Sequence, residues 1–361
     1  NVRGAGADLG GADLVQTATA KQVDSATSGA KQDGTGKVGI GASVAISIIN
    51  DTTETGLATG AALTNVGSLT MTSTTDEATT TEATGAAAGG SSLVLTGVVG
   101  ITIHNVATSA SIRAGGATLT TSGAIQGTAD QSATAQTKAI GATTAGAGSS
   151  LGASISFALT SADHVVDASI ERTVDSAGAL TMKALGTSTT ATTATASAAG
   201  AEGGKSSGGT DSSGKDTGEK SDDQLSFASD KSSTASGKGA KDSTTPKAKD
   251  ENGTTVTVAA ALALNLVTAT ATAIVAPGVT VIAAGPLTLL ASANVDGSAT
   301  ADGSASNGSS VTIGAGVAIN KVIVVTRADI APGASIRAGG LVLTADMRPI
   351  GSGGADTTHT F

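Results

Sequence analysis

Along this chain, short aliphatic runs alternate with Gly-marked segments and with tracts in which small apolar and small polar residues take turns. The aliphatic runs are GASVAISIIN (Gly41 to Asn50), LTGVVGITIHN (Leu95 to Asn105), LGASISFAL (Leu151 to Leu159), VAAALALNLV (Val258 to Val267) and IGAGVAINKVIVV (Ile313 to Val325). A second element opens with Gly, a spacer and Leu, as in GSLTMTS from Gly67, GGATLTT from Gly115, GALTMKA from Gly178, GPLTLLA from Gly285 and GGLVLTA from Gly339. Tracts such as TTTEATGAAAGGSS (Thr79 to Ser92) and GSATADGSASNGSS (Gly297 to Ser310) alternate at period two. That alternation predicts strands with one buried and one wet face, Thr serving the exposed side. Gly and β-branched Thr disfavour helix and no 3.6-residue stripe is present, so the chain reads as all-β.

The elements recur. Leu69 and Leu180 are 111 residues and two units apart, a period of about 55, with the second copy drifting by several residues. The heptapeptide ASIRAGG occurs at Ala110 to Gly116 and again at Ala334 to Gly340. The spacing predicts about five units: residues 38–92, 93–150, 151–204, 254–310 and a truncated 311–361, with 1–37 closing a preceding unit. Residues 205–253 read as an insertion. They carry 8 of the 20 basic residues and almost no aliphatics, so they cannot bury enough surface to offset their ordering, and a flexible, disordered loop is expected. A long period with few charges and regular Gly predicts a repeat β-solenoid of the parallel β-helix kind, sandwich-like repeats being the alternative. In it, inward Val, Ile, Leu and Ala stack in ladders. A 55-residue period is long for one coil, so two or three coils per unit are expected.

Three stretches carry a family resemblance: GIGASVAISIINDTTE (Gly39 to Glu54), TATAIVAPGVTVIAAGPLTLLASA (Thr270 to Ala293) and GAGVAINKVIVVTRADIAPGASIRAGGLVLTA (Gly314 to Ala345). They resemble repeats of very large bacterial secreted proteins, including filamentous-haemagglutinin-like and leukotoxin-type filamentous adhesins. The resemblance implies export, a long rod, and adhesion or matrix-building at the cell surface. It supplies no catalytic residues, and this sequence shows neither a secretion-signal domain nor a membrane barrel.

Composition narrows the function classes. The 361 residues include no Cys, Trp or Tyr, three Phe and three His, with 14% charged residues and 50 Gly. So few aromatic rings count against an enzyme pocket or a carbohydrate platform. Absent Cys excludes disulfides and thiolate metal sites and leaves the compartment open. A net charge of −9 without a basic stripe argues against nucleic acid. The longest apolar run, Val256 to Val267, is too short for a transmembrane helix. Without a basic n-region before an apolar stretch, the sequence reads as a mature product or a piece of a longer protein.

Candidate chemistry is sparse. His104, His164 and His359 are expected at strand edges or corners, with no partner cluster; acid–base or metal roles are the alternative. Asp296-Gly297, Asp302-Gly303 and Asn307-Gly308 recur at five- to six-residue spacing, suiting tight turns or, more weakly, calcium at Asp296, Asp302 and Asn307. Asp51, Glu54, Asp163, Asp167 and Asp329 follow the aliphatic runs and either line one edge or cap strand ends. No catalytic or cofactor-binding residue is assigned. Phe361 matches the ending of outer-membrane barrels, but the strands with aromatic girdles that should precede it are absent. The expectation is a secreted, extracellular structural or adhesive rod at the bacterial surface. Its partners are neighbouring repeats or further copies through the solenoid ends, and a host or neighbouring-cell surface. A self-assembling filament subunit is the alternative, and a β-helix polysaccharide-active enzyme a minor one.

Overall fold

A computed structural model describes residues 6–200 and 254–349, except 35, 91, 147 and 148. The insertion expected at 205–253, His359 and Phe361 lie outside the described residues. The chain is all-β and parallel throughout: a solenoid whose rungs each contribute a short strand and two long ones. The first rung holds β1 (Ala7–Asp8), β2 (Leu14–Asp33) and β3 (Val38–Leu57). The second holds β4 (Leu63–Thr64), β5 (Leu69–Ala88) and β6 (Leu93–Ile112), and the third β7 (Leu119–Thr121), β8 (Ile125–Thr144) and β9 (Leu151–Ile170). Then come β10 (Val174–Ser176), β11 (Leu180–Ala199) and β12 (Thr254–Val275), next β13 (Thr280–Ser306) and β14 (Gly308–Ile330), and β15 (Ser335–Met347) begins a sixth rung. Sheet A stacks β3, β6, β9, β12 and β14; β1 and β4 pair as the small sheet B; sheet C stacks β2, β5, β8, β11, β13 and β15, with β7 and β10 continuing along the start of β13.

Register corrects the coil count. Leu14 pairs with Leu69, Leu69 with Ile125 and Ile125 with Leu180, so one 55-residue unit makes one coil and not two or three. Five rungs at strand spacing therefore span only about 24 Å along the axis, while each 20-residue strand runs about 66 Å across it. The shape is a slab, wider than it is long. Leu180 pairs directly with Leu287 and Leu151 with Val256, so the extra residues between them interrupt one rung and add none. The drift of the second copy is also explained. Ile125, not Leu119, is the partner of Leu69, because GGATLTT supplies the short strand β7. The two ASIRAGG copies sit at different places: Ile112 ends a sheet A strand, whereas Ile336 aligns with Val281 and so with the short strands.

The interior changes character across the slab. At the wide end, where short strands add a third wall, Leu57, Ile112, Ile170, Leu69, Ile125 and Leu180 form a bulky apolar core. Met71 and Met182 fill the space left by Gly127 between them, where a Cβ would lie 2.7 Å from Met182 Cε. At the opposite end the sheets close onto each other and mostly small side chains fit, such as Ala45, Ala83, Ala139, Ala158, Ala194 and Ala263, with Val98 admitted opposite Gly85 and Gly141. A Cβ on Gly100 there would meet the Lys138 carbonyl at 2.8 Å.

This thinness reverses the expected orientation of the aliphatic runs. Their large residues face outward on sheet A: Val38, Ile40, Val44, Ile46 and Ile48 are all more than half exposed. The inward positions between them are Gly39, Gly41, Ser43, Ala45 and Ser47. Thr is likewise not confined to the wet side. Between the two ends, Thr102 donates to Thr81 at 2.7 Å and Thr137 to Thr102 at 2.6 Å. Thr137 and Thr160 bond at 2.7 Å, and Thr192 donates to Thr160 at 2.6 Å. The chain ends at Asn265, whose amide donates to Thr190 at 2.9 Å and to Asn320 at 2.8 Å. These bonds zigzag between the sheets, so each hydroxyl of this chain of contacts gains a partner in place of water.

Gly100→Ala should cost about 1–3 kcal/mol, because two backbones already touch there, whereas Gly97→Ala, facing open space in the same strand, should leave stability unchanged or slightly raised. Denaturant unfolding of both variants checks this; equal effects would show that the sheets do not close as described.

Candidate functional site

The stack brings together two of the three histidines. Sheet A pairs Val106 with His164 and His104 with Ala162, so the rings sit diagonally on adjacent strands and on the same inward face. His104 Nδ1 lies 2.8 Å from His164 Nε2, with ring centroids 5.0 Å apart and planes at 86°. His164 Nδ1 lies 2.7 Å from Ser188 Oγ, and His104 Nε2 is 3.5 Å from Glu77 Oε1. Glu77 and Ser188 come from sheet C, where both are register neighbours of Ala133, whose methyl leaves room for the rings. Gln131 closes the site from one side, donating to the Val106 carbonyl at 2.9 Å.

The expectation of isolated edge or corner histidines is thus corrected: His104 and His164 are a buried pair with Glu77 and Ser188. Sequence reading missed them because the rungs carrying them are offset by 58 residues and not 55, as the pairing of Leu93 with Leu151 shows. Only that offset puts the rings two positions apart on adjacent strands.

Burial dominates the electrostatics. Desolvation, with a smaller contribution from the neighbouring His104, pushes the His164 imidazole down to about 3. The Glu77 contact is close but not aligned as a hydrogen bond, and neither carboxylate oxygen accepts one from the described residues. With His164 neutral, one proton order presents an N–H to Glu77. His104 then carries its proton on Nε2 and accepts at Nδ1 from His164 Nε2–H, while Ser188 donates to His164 Nδ1. Such a chain can relay polarity. Glu77, His104, His164 and Ser188 are each at most 2% exposed, so no substrate reaches them as the structure stands.

The calcium candidates are not brought together. Asp296 and Asp302 lie within β13, not at turns; only Asn307, with φ of 54°, sits at one, between β13 and β14. Six residues of extended strand separate the aspartates by roughly 20 Å, too far to share one ion. Among the described residues no group of three or more His, Asp or Glu is arranged to hold a metal.

The carboxylates after the aliphatic runs do not form one edge either. Asp51 points inward, on the ladder of Val106 and His164. Glu54 pairs with Arg113 at 2.6 Å, Asp167 accepts from Thr272 at 2.7 Å, and Asp329 pairs with Arg327. Asp163 is exposed on the outer face. Sheet A's outer face is therefore divided, aliphatic over the first half of the strands and largely polar over the second, except on β14, where Ile323 and Val325 continue the aliphatic surface.

Two further features escaped sequence reading. Arg172 is buried in a corner, donating from Nε to the Arg113 carbonyl at 2.6 Å, from Nη2 to that of Ala58 at 3.0 Å, and from Nη1 to that of Ala61. It pins successive turns together, and desolvation lowers its pKa. Outside the short strands runs a groove of about 1170 Å³, floored by the ladder Thr120, Asp175, Ile282 and Arg337. Asp175 is the one carboxylate among its described lining residues.

His164 takes up a proton in the unfolded chain near its ordinary value of 6.5 but resists it in the fold until about pH 3. The unfolded state therefore binds more protons in that window, and acid destabilises the protein. Between pH 6.5 and 5 His164 should make the free energy of unfolding fall by up to about 1.4 kcal/mol per pH unit. The slope should flatten in His164→Gln. Chemical denaturation across pH measures it, and a flat wild-type profile would refute a neutral buried His164.

No family model, curated protein or solved structure matches this chain.

Proposed function

We propose that the chain is a structural segment of an extracellular bacterial β-solenoid, which acts by presenting long flat faces to neighbours and not by chemistry. The observation that carries this reading is the stack itself: rung upon rung in register, with the aliphatic residues spent on an outer face. The groups best suited to acid–base work, His104, His164 and Glu77, are sealed inside as cross-links between the sheets. The accessible groove offers a single carboxylate among its described lining residues, where glycoside cleavage ordinarily uses two, which disfavours the polysaccharide-enzyme reading.

The likeness to filamentous adhesin repeats supports export and surface placement. A slab about 24 Å long on its axis becomes a rod only by continuing, because each rung adds about 4.8 Å. The outer edges of β3 and β14 pair with no strand among the described residues, so further rungs from the same or another chain can extend sheet A at either end.

Protease added to intact producing cells should cleave the chain, and antibody against it should label fibres at the cell surface by electron microscopy. A chain that stays protected until the cells are lysed would overturn the extracellular assignment.

A further inference from the structure

We propose that the aliphatic half of sheet A's outer face docks against the same half-face of a second copy of this chain. The face is built row by row across the five strands. One row is Val44, Val99, Phe157, Leu262 and Val317, and another is Ile46, Ile101, Leu159, Leu264 and Ile319. On four strands it gives way at the row of Asn50, Asn105, Asp163 and Thr268, whereas on β14 it runs on through Ile323 and Val325 as far as Arg327.

Size argues for a macromolecular partner. About 11 residues of strand by five strands cover on the order of 850 Å², from a rise of about 3.3 Å per residue and a strand spacing of about 4.8 Å. One side of a stable protein pair buries about 800 Å², whereas the largest apolar patch of an ordinary monomer is about 300–600 Å².

Chemistry selects the partner. A lipid surface is met by Trp and Tyr at the interface and by Lys or Arg around an apolar face. This chain has no Trp or Tyr and a net charge of −9, and Lys321 is the one cation within the aliphatic rows. The chain's own insertion offers only Leu225 and Phe227 as large apolar residues, too few to cover five strands. A second copy presents an equal area of the same aliphatic chemistry.

Relief adds a register. The row Ala42, Gly97, Ile155, Ala260 and Ala315 is a furrow of small residues broken by one projecting side chain, Ile155, 58% exposed. Its direct strand neighbour Gly97 faces open space, with nothing within 4 Å of where a Cβ would stand. A two-fold axis along the strands, between β6 and β9, sets Ile155 of each copy into the hollow at Gly97 of the other and lays four of the five strands, β3, β6, β9 and β12, on their counterparts, about 700 Å² a side. This is the reciprocal contact that an isologous interface requires.

Sedimentation equilibrium of the full chain at micromolar concentration tests this, and it does so independently of where the protein resides. The wild type should form dimers, and Ile155→Lys should weaken association by about 100-fold or more, since it buries an unpaired charge. Val44→Lys, at a second exposed position on the face, should do the same, with both variants keeping the β-sheet circular dichroism of the parent. A monomeric wild type would overturn the proposal, as would dimers that survive both substitutions, which would place association at the open rung ends. Flotation of a monomeric wild type with phospholipid vesicles, lost in Ile155→Lys, would also overturn it and assign the face to lipid.

Discussion

The distance between the two sheets governs the rest of this structure. At one end three walls enclose room for Leu, Ile and Met; at the other the sheets approach until backbone meets backbone, and Gly, Ala and Ser are what fit. Protein interiors tolerate neither voids nor overlap, so the gap dictates side-chain volume at every inward position. Large aliphatic residues in a strand facing the narrow gap have only the outside left, which is why Val44 and Ile46 point to solvent while Ala45 and Ser47 do not.

A thin interior also limits what apolar burial contributes, and the middle of the slab compensates with polar contacts. The threonine chain from Thr81 to Thr192 crosses between sheets at each step; in the Glu77, His104, His164 and Ser188 cluster the two end contacts cross, while His104 meets His164 along sheet A. A buried polar group is costly when unpaired and modestly favourable when bonded. Such contacts hold one register above its neighbours, because a slip by one residue would turn every inward hydroxyl outward and leave its partner unbonded.

Much of the fold was legible in the sequence. Alternation at period two, Gly-marked corners and a 55-residue recurrence led to stacked parallel strands, and the surplus between Leu180 and Leu287 could be found by counting. Other inferences failed for a common reason: alternation shows that two faces differ without showing which is inside. Val, Ile and Leu are ordinarily the buried set, and here the narrow gap turns most of those in the aliphatic runs outward. Motif identity misled in the same way, for ASIRAGG ends a long strand in one rung and enters the short-strand wall in another.

The residues by themselves determined secondary structure, repeat length and the absence of aromatic and thiol chemistry, because these depend on local preference and on composition. Tertiary structure alone decided that one unit makes one coil, that His104 meets His164, and that the aliphatic rows form an outer surface. Each of those depends on the offset between rungs and the separation of two sheets, both set by residues some 55 to 107 positions apart in the chain, beyond the reach of any local pattern.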